Sequence, residues 1–326
     1  MTIDELYKEW FLYKSTRIKI SSLATYEQVY RLYVAPYFRG HDIQQGVSNK
    51  EMNKFVNHLL TERHLNRKSA HDAQIVLCNM LKYGAMEHDI PLNTYMIEYP
   101  TTAKQEKKGI HFFTKDQCKT VFQAMEADPS SELLGIVIGL TTGMRIGEIV
   151  GLRFSDVDLG SKTISVNRTI QRIFIEGSGL RSVLSGLEVI SQSADRRTAV
   201  VANPPKTSSS RRTCPLAALP LKWLRAYSKT STPNRYIVGM KSKPIETRCY
   251  REYYYRKLEE LGLPRLNPHC MRHTFATQML HSGADPATIA SILGHSSPAI
   301  TLEIYSHTDE DEKRKQVNAV FGKMFK

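Results

Sequence analysis

Residues 268–295 read PHCMRHTFATQMLHSGADPATIASILGH. Pro268 and Pro286 each open an apolar run at helical spacing, as proline does at a first helical turn. Ser282-Gly283 parts the two runs and Gly294 ends the second, so the stretch predicts one helix over 268–282 and another over 286–293. His269 and Arg272 stand at i and i+3 on one face of the first helix, close enough to contact a single anion together. His295 follows at the end of the second. A planar guanidinium fork matches the non-bridging oxygens of a phosphodiester, and imidazoles add hydrogen bonds and proton handling near neutral pH.

Groups of the same kind lie on both sides of this stretch. Upstream, an apolar helix over Ser131 to Leu140 is stopped by Thr141-Thr142-Gly143, and a new helix is expected near Met144. That puts Arg145 in a first helical turn, where backbone N–H groups and the dipole favour an anion. Glu148, one turn on, is placed to orient it. In Pro204-Pro205-Lys206-Thr-Ser-Ser-Ser-Arg211-Arg212 the turn composition sets Lys206 at a hairpin tip, with Arg211 and Arg212 as competing cations. Ten residues past His295 stands Tyr305, whose hydroxyl can attack phosphorus and hold the bond covalently.

In that order (Arg145, Lys206, His269, Arg272, His295, Tyr305) the residues resemble the tyrosine recombinases, or phage-type integrases. His-x-x-Arg alone would carry little; six positions in order, in Gly-Met-Arg and Leu-Gly-His contexts, carry a great deal. The resemblance spans essentially the whole chain and is nearest to integrases of phages and integrative elements of bacteria. It implies a mainly α fold with a small antiparallel sheet: a four-helix core-binding domain and an α+β catalytic domain, together a C-shaped DNA clamp. It also implies a reaction. Tyr305 attacks the scissile phosphate, leaving a 3′-phosphotyrosyl link and a free 5′-hydroxyl. Arg145, Arg272 and His269 stabilise the phosphorane with His295 assisting, and Lys206 protonates the leaving oxygen. Rejoining reverses the step, so neither cofactor nor metal is implied. The implied partners are double-stranded DNA and three further copies of the chain in a synaptic homotetramer, with room for an excisionase or another accessory DNA-bending protein.

Ala35-Pro36-Tyr37-Phe38 and a long insertion at the hairpin favour an element integrase over a Xer-like dimer resolvase. A type IB topoisomerase shares the chemistry. A helix-turn-helix regulator read over Ala284 to Gly294 would leave Arg145 and Tyr305 unexplained. His273, four residues past His269, invites a metal reading, but Arg272 would repel a cation and no His-Glu-x-x-His carboxylate is present.

Composition agrees with a polyanionic partner. The 326 residues carry a formal net charge of +13, with 12 Lys and Arg against 11 Asp and Glu in residues 1–100 and 33 against 21 beyond. The N-terminus lacks a basic region followed by an apolar run, no stretch approaches the roughly 18 apolar residues that span a bilayer, and no basic amphipathic helix suggests a membrane surface. Five dispersed cysteines without a C-x-x-C pair read as reduced thiols, so the expected location is cytoplasmic.

Along the chain, residues 1–100 read as the helical domain, with helices over 3–13, 22–37, 49–60 and 69–88. With a helix expected from about residue 3, the arm-binding domain that longer integrases of the resembled family carry is not expected here. Residues 101–112 read as a polar linker and 113–326 as the catalytic domain. Within the latter, Thr114 is a helix cap, and strands are expected over 163–166, 169–175, 198–201 and 212–216. Glu176 to Arg197 reads as an inserted loop or extended hairpin. Helices follow over 216–227, 248–261 and 298–305. A tail helix of about 312–326 carries the stripe Val317, Val320, Phe321, Met324 and Phe325, suited to a neighbouring subunit or to its own domain.

Overall fold

Thr2, Ser48 and Thr114 start helices by one device. Each hydroxyl accepts the backbone N–H three residues on, and the Glu5, Glu51 or Gln117 there reaches back to the cap N–H. Such a reciprocal pair satisfies two donors a helix start would strand, each cap being worth about 1 kcal/mol. The computed structural model describes residues 1–99, 111–175, 187–204, 211–295 and 297. Lys206, Tyr305, most of the expected linker, the helix over 298–305 and the tail helix lie outside the described residues. Those described fall within two compact units, one inside Met1–Lys107 and Ile173–Ala199, the other inside Lys108–Arg172 and Val200–Lys326.

The first unit is mainly helical: α1 (Ile3–Ser15), α2 (Ile20–Val29), a π-helical turn (Tyr30–Val34), α3 (Ala35–Phe38), α4 (Asn49–Thr61) and α5 (Arg67–His88). α4 buries Met52, Phe55, Val56 and Leu59 at helical spacing, and Trp10, Leu23, Leu77 and Met80 complete a core whose larger members contribute roughly 1.5–3 kcal/mol each. Pro36 lies within the second helical run, as in the expected helix over 22–37. The run passes through it to Phe38, because the widened turn closes with the Ala35 N–H bonded to Tyr30 O before the proline is reached. Tyr30 stacks on Tyr7 at 3.5 Å, and their hydroxyls donate to Asp4 and Glu27 respectively.

In the second unit α6 (Lys115–Ala127) and α7 (Ser131–Thr142) precede α8 (Ile146–Ile149). Later come α9 (Ala218–Ser228), α10 (Thr247–Glu260), α11 (His269–His281) and α12 (Pro286–Leu293). α7 is apolar all round, with Leu133, Leu134, Ile136, Val137, Ile138 and Leu140 buried, as a central helix must be; α6, α8, α9, α10 and α11 all touch it. Strands β1 (Val157–Asp158), β2 (Thr163–Val166) and β6 (Arg212–Pro215) form one antiparallel sheet in the order β1-β2-β6, with Ile164 opposite Cys214 and Val166 opposite Arg212. β3 (Thr169–Phe174), β4 (Glu188–Gln192) and β5 (Thr198–Asn203) form a second sheet, ordered β3-β5-β4, whose β4 belongs to the first unit. The described part of the expected insertion therefore supplies a strand, β4. It lacks an alternating apolar face because its side chains are largely exposed. Among the described residues no helix is long and apolar enough to cross a membrane, and all five cysteines are free thiols.

Candidate active site

α7 ends at Gly143, whose φ of +66° provides the left-handed cap. A Cβ there would lie 2.4 Å from Leu293 and 2.9 Å from Phe275. The chain can therefore turn tightly against the α11–α12 pair only with glycine, and the turn delivers Arg145. Arg145 is the N-cap of α8 and not part of its first turn: its backbone is extended, and α8 has only four residues. A helix that short has little dipole to offer, so the anion-binding power at this point rests on the guanidinium.

Glu148 fixes that guanidinium. Its Oε2 accepts from the Arg145 backbone N–H at 2.9 Å and its Oε1 from Arg145 Nη1 at 2.9 Å. Arg212, on β6, binds both oxygens of the same carboxylate from the other side, at 3.2 and 2.8 Å. Glu148 and Arg212 are each only 5% exposed at the side chain, while Arg145 is 43% exposed. Burial alone would push the Glu148 carboxyl up, but hydrogen bonds and charge from Arg212, then the Arg145 N–H and charge, hold it below the usual range.

α11 begins at His269, one place beyond Pro268, with the His269 N–H donating to Asn267 Oδ1 at 2.9 Å. Arg272, one turn later, is buried and donates from Nη1 to the carbonyls of Gly143 at 3.1 Å and Leu293 at 2.8 Å. Thr274 accepts the Phe113 N–H at 2.9 Å, which ties α11 to the approach to α6. Phe275 and Ala276 on α11 pack on Ile289 and Leu293 of α12, and the left-handed Gly294 then carries the chain to His295.

Both histidines are held down at about 4. For His269 the causes are burial, then His273, Arg272 and Arg145; for His295 they are burial, then Arg272, Arg145, Arg212 and His269. His273 meets His269 edge to face at 4.8 Å and is lowered by burial and by Arg272. Neutral imidazoles among three guanidinium groups form a site prepared for an anion. An open pocket of about 470 Å³ is lined by Arg145, Ile146, Arg251, Tyr255, Asn267, Pro268 and His269.

Four of the six sequence-derived residues, Arg145, His269, Arg272 and His295, thus lie in this unit, linked by shared electrostatics and by the two helix-end carbonyls. The other two, Lys206 and Tyr305, are outside the described residues. From the sequence, Arg212, Arg251 and Tyr255 are not assigned to the site, and Tyr253-Tyr254-Tyr255 reads as straddling a helix face. Arg251 and Tyr255 share a helix face at i and i+4, a signal that could have been read. In the sequence Arg212 reads only as a cation competing with Lys206, and nothing in its spacing announces a buried arginine. No group of three or more His, Cys, Asp or Glu suited to a metal ion occurs among the described residues.

The Phage integrase family profile matches residues 111–312, and that of the phage integrase N-terminal SAM-like domain matches residues 2–60. The tyrosine recombinase XerC of Staphylococcus saprophyticus subsp. saprophyticus is 26% identical over 271 residues, covering 82% of this chain and 79% of the relative. A XerC-like tyrosine recombinase of Caldanaerobacter subterraneus subsp. tengcongensis is 24% identical over 251 residues, 69% of this chain and 60% of its own length. Among solved structures, the Tn1549 transposon integrase in complex with transposon right end DNA superposes with a TM-score of 0.73 at 19% identity, covering 98% of this chain and 99% of that one. A lambda integrase tetramer bound to a Holliday junction gives a TM-score of 0.60 at 16% identity over 95% of this chain and 80% of that one. The mainly helical fold with small sheets is shared with both.

Proposed function

Because the chain belongs to the phage integrase family and is a tyrosine recombinase, an enzyme that cleaves and rejoins DNA strands, we propose that it breaks a specific DNA phosphodiester with the Tyr305 hydroxyl and later reseals it to a partner strand. The observation that carries this reading is the gathering of Arg145, His269, Arg272 and His295 about one anion-ready site with an open pocket between Arg145 and His269. Arg145 and Arg272 offset the charge that grows on the non-bridging oxygens of the pentavalent phosphorane, and the neutral imidazoles donate hydrogen bonds to it. Tyrosine, with an ordinary pKa near ~10, attacks at neutral pH only where such positive charge favours the phenolate. Lys206 protonates the 5′-oxygen as it leaves.

The proposed partners are double-stranded DNA and further copies of the chain in a synaptic tetramer. The lambda integrase tetramer on a Holliday junction supports that assembly by likeness. The proposed setting is integration or excision of a mobile element, supported by the strand-bearing insertion between β3 and β5. A second reading, a chromosome or plasmid dimer resolvase, is favoured by the XerC relatives. The test is covalent trapping on a nicked duplex. The parent should form a protein–DNA adduct, whereas Tyr305→Phe should bind equally and form none. An adduct persisting in Tyr305→Phe would remove the nucleophile from this account. Attachment repeats flanking the gene would separate element integrase from resolvase.

A further inference from the structure

Resting on that reading, we propose that Arg212 is a positioning residue of the active site: it aims Arg145 through Glu148 and fixes the helix end that carries His295. Three N–H groups of its guanidinium are directed inward. Nη1 and Nη2 bind the two oxygens of Glu148 at 3.2 and 2.8 Å, and Nε binds the Ile292 carbonyl at 2.6 Å. With a side chain only 5% exposed, Arg212 turns toward the protein and not toward a phosphate, which sets its role apart from that of the 43% exposed Arg145.

The geometry around Glu148 gives this arrangement its consequence. A carboxylate offers about four lone-pair sites, and all four are occupied. Oε1 takes Arg145 Nη1 and Arg212 Nη1; Oε2 takes the Arg145 N–H and Arg212 Nη2. A carboxylate so saturated cannot rotate without breaking a charge-assisted bond. It therefore holds Arg145 Nη1 in one direction and leaves the rest of that guanidinium facing the pocket.

The second arm acts on α12. A helix leaves its last four carbonyls without intrahelical donors. Here Arg212 takes the carbonyl of Ile292 and Arg272 takes that of Leu293, at 2.6 and 2.8 Å, immediately before Gly294 turns the chain to His295. Cys214, two residues along β6, places its thiol 3.5 Å from the same Ile292 carbonyl. Arg212 also lies six residues after Lys206 in the chain. One buried side chain thus joins the strand β6, the carboxylate that aims Arg145 and the turn that presents His295.

The variant R212K tests this, because it keeps the charge beside Glu148 but loses the fork. A single ammonium cannot hold both carboxylate oxygens and the Ile292 carbonyl in the same geometry. The full-length chain is compared with its parent on a nicked duplex whose half-site is recovered from a randomised duplex pool by binding to that parent. Half-site affinity is expected within threefold of parental, and single-turnover adduct formation slower on the order of 10²-fold, the cost of misplacing a reacting group by about an ångström. A second substrate carries a methylphosphonate at the scissile position and so lacks one charged oxygen for Arg145 to meet. There the gap between parent and R212K should shrink at least tenfold, which general loss of folded protein would not produce. Cleavage by R212K within threefold of parental, or an equal deficit on both substrates, overturns the proposal. No adduct from the parent itself would overturn the recombinase reading instead.

Discussion

Arg272 Nη1 and the Leu293 carbonyl, 2.8 Å apart, join the first turn of α11 to the last residue of α12. The bond makes Arg272 a strut of the unit, alongside the role proposed for it at the phosphate. It also explains why an arginine in a catalytic unit is buried to 2% exposure. Leu293 is at the same time the residue against which Gly143 closes. The turn carrying Arg145, the helix carrying His269 and the turn carrying His295 therefore meet within one small volume.

Adding a methyl at that meeting point should be costly. Gly143→Ala puts a Cβ 2.4 Å from Leu293 Cδ2 on a backbone with φ +66°. Left-handed strain of about 1–2 kcal/mol and overpacking of about 1–3 kcal/mol add in the same direction. Urea denaturation should show a loss of about 2–5 kcal/mol, and a loss under 1 kcal/mol would mean that the turn relaxes freely.

The histidines make acid sensitivity predictable in sign. His269 and His295 stay neutral in the folded chain down to about pH 4, against an ordinary value of 6.5. Between those limits the unfolded chain binds more protons. The stability these groups lend is present above pH 6.5 and is lost as pH falls toward 4. Burial, the larger cause of the depression, persists when DNA binds, but a bound phosphate offsets the arginine charge, so DNA binding should take up protons and tighten as pH falls from about 6.5 toward 4. Calorimetric titration of a half-site in two buffers of different ionisation heat would detect the uptake. Uptake that is unchanged in a His269→Gln, His295→Gln double variant would assign it to other groups.

Lys206 as general acid predicts a chemical rescue. Lys206→Ala should cleave an ordinary substrate slowly but a 5′-bridging phosphorothiolate at close to parental rate, since a thiolate leaves without a proton. Absence of rescue in a single-turnover assay would move the proton to His295.

Electrostatics predict steep salt dependence. The basic excess lies beyond residue 100, and neutralising six or more phosphates gives a log–log slope of about −5 or steeper. Half-site affinity measured between 50 and 200 mM salt, a range over which a binder of this kind loses on the order of 10³-fold, reads it directly. A flat response would contradict an extended DNA contact.

Much of this was legible in the sequence because local chemistry decided it. Thr114 followed by Gln117 announces a capped helix, Gly143 and Gly294 announce helix ends, and the i, i+3 spacing of His269 and Arg272 sets both on one face. What escaped depended on tertiary context. Arg145 became a cap because α8 is only one turn long. β4 has no buried face to betray it. The inward turn of Arg212 is fixed by Glu148, 64 residues away in the chain, and no periodicity reports a partner at that distance.

The π-helical turn at Tyr30–Val34 has a consequence for how related chains are aligned. One additional residue in a helix rotates everything beyond it by about 100°. Here that rotation lets Tyr30 stack on Tyr7 of α1 while Tyr37 and Phe38 meet Phe55 of α4 at 5.2 and 5.1 Å. A relative lacking one residue at this turn would have an unbroken α-helix whose far end presents a different face. A single-residue gap at this point would then record a re-aimed helix and not a shortened loop, and the aromatic positions on its two sides should be aligned separately.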